Sequence, residues 1–156
     1  MATASQILGW IQDVLDEKEF RYQVSADEHS IRATFPLDCK LKNFDAAFFC
    51  RDDSYTVYCY ISLNADEDCR PQVAEYITRA TYGLRFGNFE MDFRDGEIRY
   101  RLTVDCEDRT ELSESLVMGS IVIPMRMLER YGDGLVAVMF GIKTPEEAVQ
   151  EAEAAE

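Results

Sequence analysis

The residues of this chain that could do chemistry are few and poorly grouped. His29 is the only histidine among 156 residues, and no Ser or Cys motif surrounds it. A nucleophile–base arrangement has nothing to build on, and His29 reads as a surface turn residue. The five cysteines, Cys39, Cys50, Cys59, Cys69 and Cys106, are odd in number and show no Cys-x-x-Cys spacing. That pattern argues against both a disulfide framework and a zinc site. They read as reduced thiols, with Cys50 and Cys59 acting as small buried hydrophobes in strands. The run Asp66-Glu67-Asp68 carries charge suited to calcium but lacks the alternating ligands and central glycine of an EF-hand loop, so it reads as solvated loop charge. Gly83-Leu84-Arg85-Phe86-Gly87 follows a predicted helix and lacks both a third glycine and a Gly-Lys-Ser/Thr ending, so it reads as a helix stop with Gly83 or Gly87 at positive φ. No residue is assigned a catalytic, cofactor-binding or metal-binding role, and no cofactor is expected.

Two groups remain as candidate binding surfaces. Arg79, Arg85, Arg94, Arg99 and Arg101 gather basic charge in one quarter of an acidic chain. They would form an anion-binding face unless they are spent on acidic neighbours. The dense aromatic set Phe20, Tyr22, Phe35, Phe44, Phe48, Phe49, Tyr55, Tyr58 and Tyr60 should supply core. Within it, Phe49, Tyr58 and Tyr60 have the opposite parity from the apolar faces of their own strands. They are expected on the outer sheet surface, either as scattered rings or as a protein contact surface, where aromatics are enriched.

These residues are positioned by elements that the hydrophobic period reveals. Thr3 with Gln6 forms a capping-box pattern ahead of Ile7, Ile11, Val14 and Leu15, which predicts a helix over residues 4–18. Alternation over Phe20-Arg21-Tyr22-Gln23-Val24 and over Ile31, Ala33, Phe35 and Leu37 predicts a hairpin, with Pro36 at its end. Phe44, Ala46, Phe48 and Cys50, a turn at residues 51–54, and Tyr55, Val57, Cys59 and Ile61 predict a second. Pro71 opens a helix expected to run to about Leu84.

Residues 89–102 then read as a hairpin turning at Asp95-Gly96. A two-residue turn there pairs Phe93 with Ile98, Met91 with Tyr100 and Phe89 with Leu102 on one face. On the other it pairs Arg94 with Glu97, Asp92 with Arg99 and Glu90 with Arg101. From residue 111 to 140 the pattern is helical and apolar nearly all round, which calls for cover on more than one side, a partner subunit included. Pro124 and Gly132-Asp133-Gly134 predict two helices or one bent one. Thr144-Pro145-Glu146-Glu147 starts a short C-terminal helix or frayed tail over residues 145–156. The whole reads as one domain, residues 1–156. Its class is α+β: an antiparallel sheet of five to six strands with helices packed on one face.

Charge narrows the partners. Sixteen basic against thirty acidic residues give a net charge of −14, which opposes phosphate backbones and anionic lipid surfaces. Nucleic acid is not expected as a partner. The start of the chain carries no basic residue before Lys18, and the longest uncharged apolar stretch, residues 116–125, is short of the ~20 residues a bilayer requires. A soluble cytoplasmic protein is expected, without membrane association.

The stretch from residue 75 to 101 resembles the YbjN family of small bacterial proteins. Tyr82-Gly83-Leu84, Gly87-Asn88-Phe89-Glu90 and Asp95-Gly96-Glu97 match its pattern of a helix ending, a Gly-Asn-Phe-Glu step and an Asp-Gly hairpin, while Thr81 stands where the family has Asn. The late helix from Leu112 onward and its Thr-Pro-Glu-Glu-Ala sequel extend the likeness more weakly. The resemblance implies a type III secretion chaperone-like fold, homodimers and non-enzymatic binding of extended client segments; the family is also described as sensory-transduction regulators. The expectation is thus a non-enzymatic protein-binding module, chaperone-like or regulatory, acting as a homodimer. The alternative is a small-molecule or anion-binding regulatory protein.

Overall fold

The capping box at Thr3 forms: its hydroxyl accepts the Gln6 N–H at 3.2 Å, and the Gln6 side chain accepts the Thr3 N–H at 3.0 Å. The computed structural model describes residues 1–155. Helix α1, Ala4–Glu17, buries Ile7, Leu8, Ile11, Val14 and Leu15. Beyond it the expected strand from Phe20 shrinks to β1, Gln23–Val24. Glu19 takes a φ of 59°, and the Phe20 N–H turns back to the Leu15 carbonyl at 2.9 Å. Phe20 therefore folds under the sheet, edge-on to Phe35 at 5.3 Å, instead of starting a strand.

Strands β2 (Ser30–Pro36), β3 (Asn43–Arg51) and β4 (Ser54–Tyr60) follow with the alternation read from sequence. Pro36 is the last residue of β2. Helix α2, Arg70–Thr81, stops three residues before Leu84, and Gly83 and Gly87 both adopt positive φ. Strands β5, Asn88–Met91, and β6, Ile98–Asp105, complete one six-stranded antiparallel sheet of order β1-β2-β3-β4-β6-β5. The α+β class is as expected.

The last hairpin is correct in its faces and wrong in its register. Phe89 pairs with Tyr100, Glu90 with Arg99 and Met91 with Ile98, two residues away from the expected alignment. A shift of two keeps every side chain on its own face, so burial is preserved while partners change. The cause is the loop. Instead of a two-residue turn, Phe93 to Gly96 form a four-residue loop closed by the Asp92 N–H on the Glu97 carbonyl at 2.9 Å and the Gly96 N–H on the Asp92 carbonyl at 2.7 Å. Gly96 has φ +78°, and a Cβ there would lie 2.0 Å from the Ala65 carbonyl oxygen. The loop is thus docked on the chain that leads into α2, with the Ala65 N–H on the Gly96 carbonyl at 2.8 Å.

Helix α3, Glu114–Met139, runs unbroken through Pro124 and the two glycines. It lies against β4, β6, α1, α2 and the final helix, which cover much of its apolar circumference. Gly134 explains itself by proximity: a Cβ would sit 2.4 Å from the Tyr76 hydroxyl, which donates to the Tyr131 carbonyl at 2.6 Å. Helix α4, Pro145–Ala154, is ordered by burial of Pro145, Ala148 and Val149 and packs on α2 and α3, so the expected tail is a helix; Glu156 lies outside the described residues. Buried strand residues of one parity meet the helices, and Arg32, Thr34, Asp45, Tyr58 and Arg101 share the opposite face.

Tyr55 donates to Ser120 Oγ at 3.1 Å, and Ser120 donates to the Val117 carbonyl at 2.6 Å. Burial pushes Tyr55 and Tyr100 from 10.0 up to about 12. Unfolded tyrosines ionise near 10 while these stay neutral, so stability is whole below pH 10 and falls as pH climbs from 10 toward 12. Tyr55→Phe leaves Ser120 its own acceptor; it is expected to cost about 1 kcal/mol at pH 7 and to flatten the alkaline loss. Urea unfolding at pH 7 and pH 11 measures both.

Candidate functional site

Strand β5 lies at the end of the sheet, and the backbone N–H and C=O groups of its odd-numbered residues point away from β6. The Phe89 N–H leaves the sheet for the Thr81 hydroxyl at 3.0 Å, while the Asp92 N–H turns inward to Glu97. By alternation, Glu90 bonds to β6 and Met91 presents its N–H and C=O to the open edge. Two side chains close that edge on either side. Thr81, the last residue of α2, caps Phe89. Arg70, the first, donates from Nε to the Ala65 carbonyl at 2.9 Å and from Nη1 to the Phe93 carbonyl at 3.3 Å. Between them one residue of strand edge remains.

Beside this edge α2 and β5 enclose a groove of about 470 Å³, lined by Ile77, Thr78, Tyr82, Phe89, Met91 and Phe93. Tyr82 is 90% exposed and Phe93 58%, so the groove is bounded by two aromatic rings held in water. On the opposite face of β5 a polar hollow of about 490 Å³ is formed by Glu90, Asp92, Arg94, Glu97 and Arg99. An extended chain added at Met91 would place alternate side chains in the oily groove and over the charged hollow. The arrangement is suited to backbone pairing.

The arginines do not gather into a free cationic face. Arg79 pairs with Glu75 at 2.8 Å and Arg94 with Asp92 at 2.7 Å. The Arg94 side chain, then its backbone N–H, hold the Asp92 carboxyl down at about 2. Arg99 and Arg101 share Glu90, at 2.5 and 3.4 Å. Of the three charge pairs expected across the hairpin only Glu90 with Arg101 persists, now as a diagonal. Register explains the others: Arg99 moves opposite Glu90, Asp92 comes opposite Glu97, and Arg94 falls into the loop. Arg85 stacks over Phe86 at 5.0 Å.

Phe49, Tyr58 and Tyr60 stand half-buried on the outer face as their parity requires. Phe49 meets Tyr58 at 5.6 Å, and the Arg99 guanidinium lies 4.0 Å above the Tyr58 ring while donating to the Tyr60 hydroxyl at 3.2 Å. His29 is an exposed turn residue whose carbonyl accepts the Cys50 N–H at 2.8 Å. The Asp66 carbonyl accepts the Cys69 and Arg70 N–H groups and so begins α2. All five cysteines are free, and Cys50, Cys59 and Cys106 are buried. Burial pushes the Cys50 thiol up to about 12.

The edge at Met91 was not visible in the sequence, because it depends on α2 lying along β5 and on the true register. The one available signal was the spacing of Phe93 from Gly96, which also suits a four-residue loop. The Met91 amide is expected to exchange with solvent quickly while those of Glu90 and Phe89 are protected. Thr81→Val should speed Phe89 exchange by at least tenfold and leave Glu90 unchanged, a comparison that hydrogen-exchange NMR makes directly.

Compared with known proteins, the chain matches no family model, and no curated protein sequence matches it.

Proposed function

We propose that this chain is a non-enzymatic, cytoplasmic protein-binding module, chaperone-like or regulatory, working as a homodimer and taking an extended segment of a client. The observation that carries this reading is the Met91 edge beside the apolar α2–β5 groove, since a free N–H and C=O next to an oily trough suit a partner strand. Support for a second copy comes from α3. Its outward row, Met118, Val122 and Met125, is only half-buried, and Phe140 beyond it is 71% exposed, a distribution typical of a covered face. No helix among the described residues is long and apolar enough to cross a membrane, and the net charge of −14 opposes nucleic acid. The anion-binding alternative finds less support, because Arg79, Arg94, Arg99 and Arg101 are committed to carboxylates.

Met91→Pro removes the outward N–H without touching a bond to β6, a substitution that edge strands tolerate. Thr78→Asp puts charge into the groove at an exposed position. Each is expected to weaken capture of a client from the native host at least tenfold, about 1.4 kcal/mol, while circular dichroism stays unchanged. Val122→Glu is expected to convert a dimer to a monomer in analytical ultracentrifugation. Clients held equally well by Met91→Pro and Thr78→Asp would overturn the groove assignment, and a wild-type monomer would remove the homodimer.

A further inference from the structure

Charge is distributed unequally along the open edge of β5. At the Glu90 end one carboxylate serves two guanidinium groups, Arg99 and Arg101, and Arg85 lies in the loop that leads into the strand. At the loop end the balance reverses. Asp92 comes opposite Glu97, with Asp95 in the loop between them. Arg94 pairs with Asp92, and no ion pair among the described residues takes up Asp95 or Glu97. Asp95 accepts the Glu97 N–H at 3.0 Å, a bond that leaves its charge in place. The chain docked on this loop adds to the excess: the Ala65 N–H bonds to the Gly96 carbonyl, and Asp66-Glu67-Asp68 follow directly. Against these acids the same end carries Arg94 and Arg70.

The backbone fixes how a guest strand meets this gradient. Met91 is the open rung, with N–H and C=O both outward. In an antiparallel pair a single guest residue exchanges both hydrogen bonds with it, whereas a parallel guest needs a carbonyl from one residue and an N–H from another two places on. The antiparallel form asks for less chain where Thr81 and Arg70 close the edge on either side. It also continues the pairing of every strand in the sheet.

Alternation then assigns the side chains. The guest residue opposite Met91 enters the apolar groove beside Ile77 and Phe89. The residue before it in the guest falls opposite Asp92, and the residue after it opposite Glu90, both on the charged face. Across neighbouring strands opposite charges attract and like charges repel. The preceding residue therefore meets a surplus of carboxylates, while the following one meets Glu90 backed by two arginines, whose charges offset one another.

We propose, resting on the strand-edge reading above, that the preferred guest is an extended segment added antiparallel to β5, with a Lys or Arg immediately before the apolar residue that enters the groove. The net charge of −14 favours the approach of such a segment. The probes are three heptapeptides blocked at both ends: Ser-Thr-Lys-Leu-Thr-Ser-Thr, Ser-Thr-Thr-Leu-Lys-Ser-Thr and Ser-Thr-Glu-Leu-Thr-Ser-Thr. Each is titrated into the full chain at low salt and followed by the Met91 amide and Ile77 methyl signals. The Lys-Leu peptide is expected to bind about three- to fivefold more tightly than the Leu-Lys peptide, the upper part of what one cross-strand charge pair contributes. The Glu-Leu peptide should bind more weakly still. Asp95→Asn/Glu97→Gln keeps an acceptor for the Glu97 N–H and should bring the two Lys peptides to within about twofold. Equal binding of the three peptides, or preference for Leu-Lys, with the Met91 signal still moving, would overturn the charge assignment and leave the strand edge standing. A double variant that keeps the full preference would do the same. A Met91 amide unmoved by every peptide would overturn both.

Discussion

Helix α3 is fixed along its own axis by two buried tyrosine hydroxyls that reach it from different elements. Tyr55, in the middle of the sheet, donates to Ser120 in the first half of the helix, and Tyr76, in α2, donates to the Tyr131 carbonyl in the second half. The two contacts are eleven residues apart, about 16 Å, so a slide of one turn would break both and leave polar groups buried without partners. Apolar packing alone does not set such a position, because α3 is oily over most of its circumference and slides at little loss. Gly134 is the counterpart of the second contact. Its missing side chain admits the Tyr76 ring, and that approach holds α2 against α3. From α2 the constraint passes to β5, since Thr81 and Arg70 belong to that helix and set where the strand edge opens.

The acidic excess of the chain is not spread as uniform repulsion. Around β5 and β6, where five arginines lie close in sequence, Glu75, Glu90 and Asp92 hold four of them, and the Arg99 guanidinium also lies over Tyr58. Exposed ion pairs of this kind stabilise by well under 1 kcal/mol each. Their effect is mainly on orientation: they keep the outer sheet face ordered and leave the inner groove as the apolar side of the same strand.

Much of the fold was legible because the signals were local. The Thr3 and Thr144 caps, the alternation through Phe44 to Cys50 and Tyr55 to Cys59, and Pro36 at a strand end each follow from the chemistry of a few neighbouring residues. What failed depended on distant contacts. Two hairpin registers two residues apart bury the same side chains, so the hydrophobic pattern cannot separate them; the docking of Gly96 on Ala65, thirty-one positions away, decides. The strand expected at Phe20 gave way to the turn at Glu19, whose positive φ no pattern announces. Of the alternatives left open at Pro124 and at residue 145, a continuous helix and a short final helix form, each packed on other elements. The outward aromatics were found by parity. The strand-edge groove was not, since it depends on how α2 lies along β5, which no local pattern fixes.

The closures at Thr81 and Arg70 bear on solubility. Exposed sheet margins template the addition of further chains, and unchecked growth of that kind ends in fibrils. Here one margin is a strand of two residues, Gln23–Val24. The other is stoppered at both ends, so that a visitor finds a single rung to grip. Such a margin gives copies of the protein too little purchase to stack into a ribbon.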